Sequence, residues 1–139
     1  MVVFERVDSA FKGSGMNSLT GEDFRDSLFF FKNNKYIRLD IDTGEIDEGY
    51  PKLISKGWDG VTFERIDAAL VWGNTVYFFK GNKYIRYTLG AEKPVDSCYP
   101  QLISERWAGV TFERIDAAIT LEDGKAYFLK GMNISVMTW

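Results

Sequence analysis

The sequence predicts an all-β fold of the propeller type, built from blades of four antiparallel strands with a short helix after each. A phrase, Phe-Glu-Arg-Ile-Asp-Ala-Ala, occurs at residues 63–69 and 112–118, and a variant occurs at 4–10. Its copies begin 59 and 49 residues apart, and four short strands over about fifty residues make one propeller blade. Aromatic residues form 16% of the chain, which favours strands over helices.

We interpret residues 1–139 as one partial domain, and the phrase divides this domain into repeats. Repeat one spans 4–62, repeat two spans 63–111, and a partial third repeat spans 112–139. Repeat one is longer because residues 11–21 form a polar, glycine-bearing segment, which we interpret as a loop.

Each repeat is predicted to begin with its phrase as the innermost strand, followed by a hairpin. Aromatic and β-branched runs flank Asn33-Asn34 in repeat one and Gly81-Asn82 in repeat two, and both pairs are typical of tight turns. Residues 41–49 then indicate a turn and a short outer strand. The segments 50–58 and 99–107 predict a short helix that Pro51 or Pro100 begins, because proline suits the first helical position.

Three motifs in residues 63–111 carry a family resemblance. They are Phe-x-x-Ile-Asp-Ala-Ala, Tyr-Phe-Phe-Lys-Gly-x-x-Tyr-x-Arg-Tyr and Tyr-Pro-x-x-Ile-Ser-x-x-Trp-x-Gly, in that order. Their order and spacing resemble the hemopexin-like repeat. The resemblance implies a four-bladed β-propeller with one repeat per blade, of which this chain carries two full repeats and part of a third.

The third repeat departs from the pattern after Lys130-Gly131, where residues 132–139 replace the expected strand. The alternation of Ile134 and Val136 with polar or larger residues still suits a strand. An incomplete ring exposes apolar blade faces and strand edges, which drive association. We therefore expect a homo-oligomer, most simply a dimer in which two partial rings close each other's open ends.

We hypothesise that a one-base deletion in a longer gene produced the tail. The expected continuation, Gly-Asn-Glu-Tyr-Ile-Arg-Tyr-Asp-Val, has a coding string GGA AAT GAA TAT ATC CGT TAT GAC GTG G. Loss of one A from this string yields Gly-Met-Asn-Ile-Ser-Val-Met-Thr-Trp, the residues at 131–139. Sequencing the gene tests this hypothesis, which fails if no further repeat is encoded downstream in another frame.

The resemblance implies an ion site in the axial channel, held mainly by backbone oxygens of each aspartate and of the alanine two residues later. These positions are Asp8, Ala10, Asp67, Ala69, Asp116 and Ala118. Oxygen ligands suit hard cations such as Ca²⁺ or Na⁺. In the alternative interpretation, each aspartate bonds a neighbouring backbone N–H and holds the blades in register.

The composition argues against an enzyme. The chain has no histidine, which excludes Ser–His and Cys–His catalysis and the usual zinc and haem ligands. No catalytic residue is assigned, and we expect a non-catalytic binding or interaction module. The alternative is a small-ligand carrier for haem or a polyamine, with iron on a tyrosine or on Cys98. The lone Cys98 allows no internal disulfide and is expected to be an ordinary half-buried thiol.

The net charge of −3 argues against nucleic acid as the main partner. The alternating basic and aromatic residues of the two hairpins favour solvated strand faces, with an anionic ligand or single-stranded nucleic acid as the alternative; they are Lys32, Lys35, Tyr36, Arg38, Lys80, Lys83, Tyr84 and Arg86. No run is long and apolar enough to span a bilayer. The chain start lacks a signal-peptide pattern, so we expect a cytoplasmic protein or one released without a classical signal peptide.

Overall fold

The structure, a computed structural model, describes residues 7–13, 23–107, 110, 114–120 and 125–138. Two four-stranded sheets and one three-stranded sheet form three blades, all antiparallel. Blade 1 contains β1 (Ser9–Lys12), β2 (Ser27–Lys32), β3 (Lys35–Asp40), β4 (Lys52–Leu53) and the one-turn helix α1 (Ile54–Gly57). Blade 2 contains β5 (Ala68–Trp72), β6 (Thr75–Lys80), β7 (Lys83–Thr88), β8 (Gln101–Leu102) and α2 (Ile103–Arg106). Blade 3 contains β9 (Ala117–Thr120), β10 (Lys125–Lys130) and β11 (Asn133–Thr138). The predicted all-β blade architecture with an unclosed ring is confirmed.

Both predicted hairpins are present in the expected register. In blade 1, β2 and β3 pair from Lys32↔Lys35 outward, and in blade 2, β6 and β7 pair from Lys80↔Lys83 outward. The first turn residues, Asn33 and Gly81, have φ of 53° and 59°. Asparagine and glycine tolerate this left-handed conformation, which is why these two dipeptides predicted the turns correctly.

The innermost strands begin later than predicted. Only the last two residues of the phrase 63–69 belong to β5, which begins at Ala68. The preceding residues connect the blades, and Ile66 is fully buried in the core between blades 1 and 2. In blade 1, Phe11 and Lys12 belong to β1 although they were assigned to a loop. The phrase residues 4–6 and 112–113, and the loop residues 14–21, lie outside the described residues.

The outer strand and the helix start also differ from the prediction. Residues 41–49 contain turns and a single bridge, Leu39↔Ile46, while the outer strand β4 lies after Pro51 and pairs with the start of β3. Helix α1 begins at Ile54, whose N–H donates to the carbonyl of Asn34 in the hairpin turn at 2.9 Å. That tertiary bond sets the helix start, and Ile103 makes the same bond to Asn82 at 2.9 Å.

Two aromatic cores lie between the blades, each around one tryptophan. Between blades 1 and 2, Trp58 is 3% exposed and meets Phe29, Phe78 and Tyr87 edge-on, with ring centroids 5.0 to 5.4 Å apart. Between blades 2 and 3, Trp107 plays the same part against Tyr77 and Phe128, at 5.0 and 5.3 Å. Because each blade is apolar on both faces, it depends on neighbouring blades for burial.

The tail after Gly131, which departs from the repeat pattern, forms the strand β11, as the alternation of its apolar residues predicted. β11 pairs with β10 along its full length, from Lys130↔Asn133 to Lys125↔Thr138. Its apolar residues face outward, however, and Ile134 is 64% and Val136 50% exposed. Blade 3 therefore has a regular hairpin and an uncovered apolar face.

Candidate functional site

The residues predicted to hold an ion lie around one cavity between the inner strands β1, β5 and β9. Each aspartate is the residue immediately before an inner strand, and the alanine two residues later lies within that strand. The cavity has a volume of about 80 Å³ and is lined by Asp8, Ser9, Ala10, Asp67, Ala68, Ala69, Asp116, Ala117 and Ala118. All six predicted positions are thus brought together, although their phrases are far apart in the chain.

Each aspartate carboxylate accepts a hydrogen bond from the hairpin turn of its own blade. The donors are the N–H groups of Asn33 to Asp8 at 2.8 Å, Gly81 to Asp67 at 2.8 Å, and Gly131 to Asp116 at 2.7 Å. The alternative interpretation of the aspartates, a bond to a neighbouring backbone N–H, is therefore observed in all three blades.

Basic side chains from two blades also meet these carboxylates. Asp8 lies 3.7 Å from Lys32 of its own blade and 3.5 Å from Arg65 of the next. Asp67 lies 3.9 Å from Lys80 and 3.8 Å from Arg114, in the same arrangement. We interpret Arg65 and Arg114 as links to the preceding blade, a role that the sequence did not indicate.

Asp116 differs because it belongs to the last blade. It lies 3.8 Å from Lys130, but among the described residues it has no arginine partner. Its side chain is 44% exposed, whereas that of Asp67 is 3% exposed. Asp116 is therefore the carboxylate that an incoming cation meets most easily.

The donors that the cavity offers are mainly backbone groups. The carboxylates of Asp8 and Asp67 are already neutralised by two cations each. Within the described ranges, no group of three or more His, Cys, Asp or Glu side chains is placed to hold a metal ion. The inner edges of β1, β5 and β9 form no ladder with another described strand, so backbone oxygens near Ala10, Ala69 and Ala118 can face the cavity.

The opposite end of the axial cleft is apolar. A cavity of about 280 Å³ is lined there by Ala10, Phe11, Lys12, Ala69, Leu70, Val71, Ala118, Ile119 and Thr120. The Thr120 hydroxyl donates to the carbonyl of Val71 at 2.6 Å and ties β9 to β5. The cleft thus runs from a carboxylate-bearing end to an apolar end.

A second cavity, which the sequence did not predict, lies on the outer part of blade 2. It has a volume of about 360 Å³ and is lined by Tyr77, Tyr84, Arg86, Cys98, Tyr99, Gln101, Arg106 and Trp107. Tyr84 and Arg86 were noted in the sequence, but the strand alternation favoured a solvated face for them. Alignment of the two repeats carried one signal for the site, since Arg106 stands where repeat one has Gly57.

Burial raises the pKa values of two tyrosine hydroxyls in this cavity. Desolvation raises the pKa of the Tyr84 hydroxyl well above its usual range, with Tyr99 contributing in the same direction. Desolvation likewise raises the pKa of Tyr77, against the opposing effect of the Arg86 charge. Both hydroxyls are therefore neutral at physiological pH and act as hydrogen-bonding groups.

Cys98 lies at the rim of this cavity, and its predicted half-buried environment is wrong. The thiol is exposed, and its Sγ accepts a hydrogen bond from Nε2 of Gln101 at 3.1 Å. Its position in the loop that leads to β8, outside both cores, explains the exposure.

The fold defines a class of protein, and the comparisons identify its family. The blades with their inner Asp-x-Ala positions are those of a hemopexin-type propeller. The Hemopexin family model matches residues 22–61 and 66–110, more than half of the chain. The chain belongs to the hemopexin family. Among curated proteins, no significant match is found.

Solved plant proteins have similar structures. A seed albumin from Lathyrus sativus matches with a TM-score of 0.73 and 24% identity, over 94% of this chain and 59% of its own. A hemopexin fold protein from cow pea matches with 0.71 and 25%, over 96% and 60%. A plant lectin with two metal binding sites from Cicer arietinum matches with 0.70 and 27%, over 96% and 60%. The chain thus spans about three fifths of the length of these structures.

No helix among the described residues is long and apolar enough to cross a membrane.

We predict that the aspartates differ in their contribution to stability according to their place in the ring. Asp67→Ala removes a buried charge-assisted hydrogen bond and two ion pairs, and should lower the free energy of unfolding by about 2–3 kcal/mol. Asp116→Ala removes the same bond at an exposed site and should cost about 1 kcal/mol. Urea denaturation of both variants measures the difference, and equal losses would contradict the inter-blade role of Arg114.

Proposed function

We propose that the protein is a non-catalytic binding module that holds a cation in the axial cavity. The observation that carries this proposal is the convergence of three Asp-x-Ala segments on one cavity of about 80 Å³. A volume of this size suits a cation with a few water molecules.

Backbone carbonyl oxygens are the ligands that fit the cavity best. The aspartate carboxylates are engaged by turn N–H groups and basic side chains, as Asp67 shows, so they set the position of the strands. Carbonyl oxygens from several strands suit Ca²⁺ or Na⁺, which bind oxygen ligands with flexible geometry. Three blades contribute to this site, with waters completing the coordination shell.

The plant relatives support a binding role. One Cicer arietinum relative is a lectin with two metal binding sites, and a second, 26% identical over 94% of this chain, is an albumin that shows hemagglutination. Both are longer than this chain, so a metal site and a binding activity are proposals for the present protein.

A second candidate function is that of a small-ligand carrier. The axial cleft joins the exposed carboxylate of Asp116 to an apolar stretch around Leu70, Val71 and Ile119. A polyamine could place one ammonium group at Asp116 and its methylene groups along the apolar stretch, which favours it over haem. For haem, the chain offers no histidine as an iron ligand.

Isothermal titration with CaCl₂, NaCl, spermine and haemin tests the proposal and separates the two functions. We expect saturable binding of Ca²⁺. Asp116→Asn should change the Ca²⁺ affinity by less than about threefold, because the main ligands are backbone oxygens. The same variant should weaken spermine by about fivefold or more if the carrier function is real. Absence of Ca²⁺ and Na⁺ binding at millimolar concentration would overturn the ion site.

We further propose that the protein self-associates through the uncovered face of blade 3. Ile119, Ile134 and Val136 are 52%, 64% and 50% exposed, whereas Leu70 and Tyr84 at matching positions of blade 2 are 2% and 4% exposed. A contiguous apolar face of this kind is typical of a protein–protein contact. Among the described strands, β11 also has an unpaired outer edge.

We propose a two-fold dimer in which each partial ring covers the open end of the other. If a second copy placed its blade 1 in the position of a fourth blade, its blade 2 would overlap blade 1 of the first copy. A contact between like faces avoids this overlap and closes after two copies, as isologous interfaces do.

Light scattering after size-exclusion chromatography at micromolar concentration tests self-association. We expect a mass of twice 15.9 kDa. Ile134→Glu should raise the dissociation constant by about tenfold or more, because it places a charge in an apolar contact. Ile41→Glu, at an exposed site in a blade 1 loop, is the matched control and should leave the mass unchanged. A monomer of 15.9 kDa at all concentrations would refute the dimer.

A further inference from the structure

The cavity on the outer part of blade 2 combines aromatic walls with two guanidinium groups. Tyr84 and Trp107 are 4% and 3% exposed and form its floor, and Tyr77 and Tyr99 form its sides. Arg86 and Arg106 lie at its rim, in a chain whose net charge is −3. Its volume of about 360 Å³ falls within the range of small-molecule sites.

The corresponding site in blade 1, around Arg38, is largely filled by side chains of the protein itself. The cavity there has a volume of only about 120 Å³. Arg38 donates to the Ser27 hydroxyl and to the Asp23 carbonyl, both at 2.8 Å, and lies 3.4 Å from Asp47. Its guanidinium also lies 5.6 Å from the ring centre of Phe24. The protein itself therefore supplies blade 1 with the ring and the oxygen acceptors that the arginine requires.

Blade 2 gives its arginine fewer internal partners. Arg86 forms an ion pair with Asp96 at 3.4 Å, in which both side chains are exposed, and lies 5.9 Å over the ring of Tyr99. No described residue of blade 2 takes the place of Phe24 in lining the cavity. Arg86 keeps a carboxylate partner, because Asp96 aligns with Asp47, but its described contacts include no counterpart of the Ser27 hydroxyl, the Asp23 carbonyl or the Phe24 ring.

Arg106 adds a second charge where blade 1 has none. Its counterpart is Gly57, where a side chain would collide with the hydroxyl of Tyr36. In blade 2, Tyr84 packs edge-on against Tyr99 with ring centroids 5.5 Å apart, and Arg106 stands at the position of Gly57. Nε of Arg106 donates to Oε1 of Gln101 at 2.8 Å, so the guanidinium is oriented while its terminal nitrogens stay available.

We propose that this cavity binds a small planar aromatic carboxylate, with its ring against the tyrosines and Trp107 and its carboxylate at Arg86 and Arg106. Such a ligand supplies to blade 2 a ring in the place of Phe24 and oxygen acceptors in the place of the Ser27 hydroxyl and the Asp23 carbonyl. Arginine pairs with carboxylates through two parallel hydrogen bonds and also stacks on aromatic rings, so both halves of the ligand are recognised.

Titration of the full chain with trans-cinnamate, followed by calorimetry and tryptophan fluorescence, tests the site. We expect saturable binding with one ligand per chain. The neutral trans-cinnamamide has the same shape and should bind at least about tenfold more weakly, because it loses the charge-assisted pair. Cyclohexanecarboxylate keeps the charge without the planar ring and should also bind more weakly.

Two variants separate a specific site from general attraction of anions. Arg106→Gln should weaken cinnamate by about tenfold or more, with an unchanged far-ultraviolet circular dichroism spectrum. Lys83→Gln removes an equal charge from the exposed start of β7, outside the cavity, and should change the affinity by less than about twofold. Equal effects of the two variants, equal binding of the acid and its amide, or no binding at millimolar cinnamate would each overturn the proposal.

Discussion

The hydrogen bond between each inner aspartate and the turn of its own hairpin is the constraint on which the rest of the structure depends. In blade 2, the bond from the N–H of Gly81 to Asp67 holds the start of β5 against the end of the β6–β7 hairpin. It also fixes a carboxylate at the axis, where Arg114 of the next blade reaches it. One short motif thereby sets the register within a blade and the contact between blades, and its repetition directs three inner strands to a common cavity.

This constraint also decides the chemistry of the axis. A carboxylate that already accepts an N–H and meets two cations is a weak ligand for a further ion, so the ion site that we propose relies on the backbone oxygens of the inner strands. At the last blade, the same motif lacks its arginine partner among the described residues, and Asp116 is exposed. The uncovered face of blade 3 has the same cause, since a blade buries each face only against a neighbour.

Much of the fold followed from local patterns. Asn33-Asn34 and Gly81-Asn82 predicted the hairpins because a tight turn requires residues that tolerate positive φ, and the structure has φ of 53° and 59° at Asn33 and Gly81. The phrase at 63–69 predicted the repeat correctly but not the strand boundary, because Ile66 is buried between blades rather than within one. The helix was placed from Pro51, yet its start depends on a bond from Ile54 to the distant carbonyl of Asn34.

The sequence by itself determined the number of blades, the two hairpins and the six positions that line the axial cavity. It could do so because repeats and tight turns have local residue patterns. Only the tertiary structure decided what those positions do. The engagement of Asp67 by Gly81 and Arg114, the exposure of Asp116, and the open cavity between Arg86 and Arg106 all arise from contacts across or between blades. Such contacts depend on which side chain of an adjacent strand or blade packs at each position, and the residues of a single repeat do not specify this.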